Sequence, residues 1–275
     1  MVNLNSGYKA WRKKWHYHLS CYKEKVLMIE EKGLYKENPT PFVLPKEKKW
    51  ANIIESYYHK DIIKILEEKS ILSLPDKFLH QEFHHLTSSQ ALGFNLFLPV
   101  FISCGWKIDK NYILEHKPEE TEGTCFDIFV KSEKNLGVEI KFLEGIFDEK
   151  NEQEKEEKRM EYKEHKYKKR FDNMYNKYFD EITQDEFYDY YQIYRHLIYS
   201  CQDNWEVLYY VLEERKYIWE ELIKEKQKQL KNEYRQNCKI EVITIDSFVK
   251  RYRTNGPDAL KDHLKKFKDK YLVNK

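Results

Sequence analysis

The sequence predicts an α/β protein: a central mixed β-sheet flanked by helices, with helical additions at both ends. Three observations lead there. Apolar spacing changes from a helical period to two-residue alternation near residue 106, then alternates between helix-like and strand-like segments to the end of the chain. Charged residues make up 35% of the 275 residues and only 8 are glycine, which favours long solvated helices over a loop-rich β protein. The hydrophobic share of 41% is enough to fill the core of a chain this long.

The elements follow in order. A basic, aromatic segment at 11–22 suits a helix, which Asn38-Pro39-Thr40-Pro41 and Pro45 break. From 46 to about 70, Trp50, Ile53, Ile54, Tyr57, Ile62, Ile63, Ile65 and Leu66 recur at helical spacing. The stretch 73–76 is a break. A second helical region runs from 76 to 102, with Pro99 set to kink or end it. Residues 106–116 read as a strand, 118–123 as a polar turn, and 124–130 and 136–142 as two strands joined by the short polar link 131–135, as a hairpin requires. After Gly145 comes a run that is acidic over 148–157 and basic over 158–170. It reads either as a solvated helix laced by ion pairs four residues apart or as a basic face against DNA. A helix at 186–201, a strand at 205–212, a charged helix at 215–236, a strand at 239–245 and a helical end broken at Gly256-Pro257 complete the chain.

Composition narrows the function classes. A net charge of +2 neither marks a nucleic-acid binder nor excludes one, because local patches outweigh the sum. Five scattered cysteines with no CxxC pair read as reduced thiols in a cytoplasmic protein. No signal-peptide run opens the sequence, and the longest apolar stretch, 94–102, is too short to span a bilayer. His80, Glu82 and His84 miss the zinc-protease pattern, which needs its acid directly after the first histidine. No glycine-rich phosphate loop is present.

The chemistry gathers on the hairpin. In Gly137-Val138-Glu139-Ile140-Lys141, alternation turns Val138 and Ile140 one way and Glu139 and Lys141 the other, and the preceding strand brings Asp127 between Phe126 and Ile128. Two carboxylates suit Mg²⁺ or Mn²⁺, which keeps several waters and bridges to phosphate oxygens, and the Ile140 carbonyl is a further candidate ligand. Such an ion would activate water and stabilise charge on phosphorus. Lys141 would orient the attacking water or offset negative charge. A cross-strand Glu–Lys surface pair accounts for the same residues without chemistry.

Asp127 followed by Glu139-Ile140-Lys141 resembles the signature of the PD-(D/E)XK nuclease superfamily, with Phe126 in place of the proline that often precedes the aspartate. The resemblance implies a restriction-endonuclease-like αβββαβ core, which the element order from about 76 to 212 fits. The resulting expectation is a helical N-terminal extension at 1–75, a nuclease-like core at 76–245 and a C-terminal helical segment at 246–275. The segment His85-Leu86-Thr87-Ser88-Ser89-Gln90-Ala91-Leu92 resembles the Ser-Ser-Gln-Ala helix of a group of restriction endonucleases within this superfamily. That likeness implies that Ser88, Ser89 and Gln90 contact nucleic acid and that Glu82, as an acid on this helix, joins the metal site. Helix capping and packing explain the serines and the glutamine equally. By the same resemblance, Gln192 and Arg195 on the helix after the hairpin lie near the site, Gln192 as a catalytic residue and Arg195 as a nucleic-acid contact, where they would touch the scissile strand or orient the waters of the metal. A Tyr-rich packed helix face explains them structurally.

The expected function is a metal-dependent endonuclease cutting double-stranded DNA, with a restriction or anti-phage defence role implied by the resemblance alone. A homodimer is expected because two strands invite two sites, and a partner subunit of a defence system is a further expectation. Two alternatives remain open: a non-catalytic nucleic-acid-binding or assembly subunit with a nuclease fold, and an RNA-cutting enzyme of the same fold.

Overall fold

The computed structural model describes residues 4–72, 78–118, 125–144, 168, 171–172 and 177–272. The expected breaks at 73–76 and 118–123 and the charged run after Gly145 lie wholly or mostly outside them. The described residues form two compact units, one from 1–108 with 245–275 and one from 109–244.

The first unit is helical. Helix α1 (Leu4–Lys25) buries Trp15, Leu19, Tyr22 and Lys23, a stripe at spacings of four, three and one that faces its core. The proline segment does break the helical pattern, and it also forms a small hairpin, β1 (Gly33–Tyr35) with β2 (Asn38–Thr40), closed through Lys36 and Glu37 at positive φ. The helix expected over 46–70 divides into a 3-10 turn at Lys46–Asn52 and α2 (His59–Leu72). Helix α3 (Ser89–Ser103) starts later than the expected 76. Phe83 and Leu86 lie in turns, where their spacing mimics a helix. Pro99 sits inside α3 without ending it. Two helices, α4 (Ile245–Asn255) and α5 (Asp258–Tyr271), are separated at Gly256-Pro257 as expected.

A buried polar network ties this unit together. Lys270 Nζ donates to Asn52 O at 2.6 Å and to its side-chain oxygen at 2.7 Å, and Asn95 donates to Asn52 O and Ala91 O. His263 donates from Nε2 to Asn95 O at 2.7 Å, so Nδ1 accepts from the Ser56 hydroxyl, also at 2.7 Å. This neutral tautomer is maintained by burial, which lowers the His263 pKa to about 4. The unfolded chain binds that proton at about pH 6.5, so the contribution is present above pH 6.5 and is lost as pH falls toward 4. Urea unfolding should show wild type losing about 2 kcal/mol more than His263→Gln between pH 7 and pH 5. Equal losses would show that His263 does not titrate with folding.

The second unit carries a five-stranded sheet in the order β3 (Tyr112–His116), β4 (Phe126–Val130), β5 (Asn135–Lys141), β6 (Trp205–Val211), β7 (Ile240–Thr244). Strands β3 to β5 are an antiparallel meander, and β6 and β7 add in parallel, which makes the sheet mixed. Trp106 lies in irregular chain just after the turn at Cys104 and Gly105, and β3 begins six residues after it. The helix expected over 186–201 breaks at Tyr190 (φ −114°, ψ 25°) into α6 (Gln184–Asp189) and α7 (Tyr191–Ser200). The charged helix over 215–236 is α8 (Lys216–Gln227) and the short α9 (Asn232–Arg235). Tyr191, Tyr194, Leu197 and Ile198 of α7 pack in one core with Val207, Tyr209 and Val211 of β6 and Trp219 of α8. Among the described residues no helix is long and apolar enough to cross a membrane.

Candidate active site

Strand β5 is central, with β4 antiparallel on one edge and β6 parallel on the other. Its residues are therefore held from both sides, and Glu139 and Lys141 extend from its C-terminal end. The pair is not on the surface. Glu139 is 3% exposed, and the side chain of Lys141 is 13% exposed. Burying two charges costs several kcal/mol per ion unless each finds partners, and the partners come from α7. Lys141 Nζ lies 2.8 Å from Glu139 Oε1 and donates to Gln192 Oε1 at 2.6 Å, while Gln192 Nε2 donates to the same Glu139 oxygen at 2.5 Å. Gln192 thus bridges acid and base, and Trp219 lies 5.9 Å from the ammonium.

Asp127 stands where the β4–β5 ladder gives out. The last paired residues are Ile128 and Val138, and beyond them the Ile140 N–H is taken by Asp127 Oδ2 at 2.6 Å. A residue's N–H and C=O address the same neighbouring edge, so the Ile140 carbonyl also lies on the Asp127 side. Burial, then the charges of Glu139 and Glu115, push the Asp127 carboxyl well above the usual carboxylate range, against the pull of Lys141 and the Ile140 amide. Burial also raises Glu139, opposed by the Lys141 charge and hydrogen bond. For Lys141 burial works downward, but the charges of Glu139, Glu144 and Asp127 outweigh it and keep the ammonium protonated.

The Glu139 carboxylate is used asymmetrically. Oε1 has Lys141 and Gln192, whereas Oε2 is buried and accepts no hydrogen bond among the described residues. It lies 3.7 Å from His196 Nε2. That nitrogen already accepts from Arg195 Nη2 at 2.6 Å, so Nδ1 carries the proton and donates to Tyr209 Oη at 2.6 Å. Burial, then the Arg195 and Lys141 charges, hold His196 neutral, with its pKa well below the ordinary value. Two acceptors therefore face each other across 3.7 Å.

Asp127, Glu139 and the Ile140 carbonyl could hold a divalent metal. No cluster of three or more His, Cys, Asp or Glu side chains suited to a metal occurs among the described residues. An ion that keeps most of its waters needs only one or two carboxylates. A divalent cation would partner the unsatisfied Glu139 oxygen and offset the like charges that, with burial, raise the Asp127 carboxyl. The donor set fits such an ion.

The other expected site residues lie differently. Arg195 does not reach toward solvent: it is 1% exposed, donates to Cys125 O at 2.9 Å and stacks 4.8 Å from the Phe126 ring. A guanidinium buried in this way cannot contact a nucleic acid, so its expected binding role is corrected to positioning His196 and the start of β4. Ser88, Ser89, Gln90 and Glu82 belong to the other unit. Ser88 is the N-cap of α3 and accepts from Ala91 N at 3.2 Å. Gln90 is 1% exposed, with its amide hydrogen-bonded to Phe78 O and His80 N. Ser89, partly buried, is the first residue of α3. Glu82 occupies an exposed turn before α3 rather than the helix itself. His196 and Tyr209 carried no assigned role in the sequence. The available signal was the spacing of Gln192 and His196, four apart and so on one helix stripe.

A family model described as Restriction Endonuclease associating with ARP matches residues 4–272. No curated protein and no solved structure matches the chain. The family match takes in both compact units. The chain therefore belongs to the family of restriction endonucleases associating with ARP, and is a nuclease of restriction type, a hydrolase acting on nucleic acids.

Proposed function

We propose that the chain is a Mg²⁺- or Mn²⁺-dependent endonuclease of the PD-(D/E)XK type that cuts double-stranded DNA, in a restriction or anti-phage defence setting. The observation that carries this reading is the asymmetric Glu139 carboxylate: one oxygen is fixed by Lys141 and Gln192, the other is buried and unpartnered among the described residues, and its charge helps to raise the Asp127 carboxyl. Asp127, Glu139 and the Ile140 carbonyl would hold the ion, which would supply positive charge to the phosphate and to a water. Lys141, kept protonated by its carboxylate neighbours, places a second positive charge where the transition state gains negative charge. Gln192 fixes the directions of both Lys141 and Glu139. The family's description names an association with ARP, which supports a partner for this chain as well. Two strands to be cut favour a homodimer.

The test is a cleavage assay with Mg²⁺ or Mn²⁺ on duplex DNA, single-stranded DNA and RNA, alongside calorimetric titration with Mn²⁺. Wild type should cut the duplex, stop in EDTA and bind at least one Mn²⁺, and Glu139→Gln should neither cut nor bind Mn²⁺ with comparable affinity. Duplex binding without cutting, and without Mn²⁺ uptake, would replace this reading with a non-catalytic subunit. Digestion confined to RNA would move the substrate and keep the site.

A further inference from the structure

The near-neutral total conceals a charge separation between the two units. The unit formed by 1–108 and 245–275 holds 25 Lys and Arg against 15 Asp and Glu, a net charge of +10, whereas 109–244 holds 24 against 32, a net charge of −8. The acidic unit is the one that carries Asp127 and Glu139. A polyanionic substrate is therefore repelled overall by the part that holds the candidate cutting residues and attracted by the other part.

Within the basic unit, α1 concentrates the charge. Over its 22 residues it has six Lys or Arg and one acid, Glu24 near its end. Its buried stripe of Trp15, Leu19, Tyr22 and Lys23 faces the core, and Lys9, Arg12, Lys13 and Lys14 are exposed. Tyr17, 74% exposed, lies four residues after Lys13 and three after Lys14, so the three share one solvent face. An aromatic ring set among ammonium groups suits contact with sugar and base edges beside phosphates. Helix α4 adds exposed Lys250, Arg251 and Arg253 to the same unit.

We propose that the exposed face of α1, centred on Lys13, Lys14 and Tyr17, is a nucleic-acid-binding surface that contacts the phosphate backbone of duplex DNA. Substrate affinity is then supplied largely by the basic unit and bond cleavage by the acidic one. The assignment rests on the nuclease reading above and deepens it by naming the surface that holds the substrate. Each neutralised phosphate contributes about 0.9 to the slope of log affinity against log salt.

The experiment is fluorescence anisotropy of a 30-base-pair duplex in EDTA, across salt concentrations, with wild type, Lys13→Glu/Lys14→Glu, and a control of equal charge change on α2, Lys60→Glu/Lys64→Glu. The α1 variant should bind at least about tenfold more weakly with a salt slope lower by about 2, and the control should change far less. Equal loss in both variants would overturn the assignment to α1, because total charge would then explain it. Unchanged duplex binding by the α1 variant, with lost binding to phosphatidylserine vesicles, would overturn it in favour of a membrane surface. Cleavage assays separate the two levels: if wild type cuts DNA and the α1 variant cuts with unchanged KM at every salt concentration, the nuclease reading stands and this one fails. If wild type neither binds nor cuts duplex, both fail.

Discussion

Lys141→Met should reduce the cleavage rate by at least about 10³-fold while leaving Mn²⁺ binding measurable. Loss of a single preorganised donor to a transition-state oxyanion costs about 10²–10³ in rate, and Lys141 also neutralises Glu139 at 2.8 Å. Methionine keeps the length and packing of the side chain next to Trp219 but removes the charge. Glu139 is then a buried carboxylate without its main counter-charge, so its already raised pKa rises further. The apo variant should consequently be less stable than wild type at pH 7, and either acid or Mn²⁺ should restore the difference. Gln192→Leu, which removes only the bridge, should cost less, about 10–10² in rate. Wild-type rates in Lys141→Met would remove the lysine from the mechanism. Loss of both activity and Mn²⁺ binding would instead assign it to holding the site together.

Gly137→Ala should destabilise the protein by about 3 kcal/mol, at the upper end for an overpacked core, and valine should cost more. A methyl group at Gly137 would come within 2.6 Å of Phe126 Cε1, 2.8 Å of Cδ1 and 2.9 Å of Cζ. The ring cannot retreat. It is fully buried, stacks on His196 with centroids 4.5 Å apart, lies under the Arg195 guanidinium and meets Tyr199 and Trp205. The strain is passed to His196 and from there toward Glu139, so cleavage should fall in the folded fraction as well. Urea titration measures the first effect and specific activity below the unfolding midpoint the second. An unchanged midpoint would mean that the ring has room to move.

What was legible in the sequence follows from how local the causes are. Strands β4 to β7 were found nearly to the residue, because a strand buried in a sheet writes its apolar positions into consecutive residues. Asp127, Glu139 and Lys141 stood out as charges inside such strands. The helix breaks were less visible. The end of α8 is fixed by tertiary pairing, with Lys231 N donating to Tyr178 O and Asp180 N to Gln229 O, contacts between segments about fifty residues apart. The start of α3 was obscured because Phe83 and Leu86 keep helical spacing while lying in turns, although the Ser88 cap was in plain view. The burial of Arg195 was not legible, because its partners, Cys125 O and the Phe126 ring, are about seventy residues away and nothing adjacent foretells it.

The Arg195–His196–Tyr209 chain has a consequence for how protons leave the site. With Nδ1–H committed to Tyr209 and the Nε2 lone pair committed to Arg195, the imidazole is an insulator rather than a relay. It has no vacant position for a proton released by an attacking water, and burial beside two cations opposes making one. In the proposed hydrolysis a proton released by the attacking water would therefore pass to a carboxylate or to solvent and not to His196, which serves as a fixed dielectric wall.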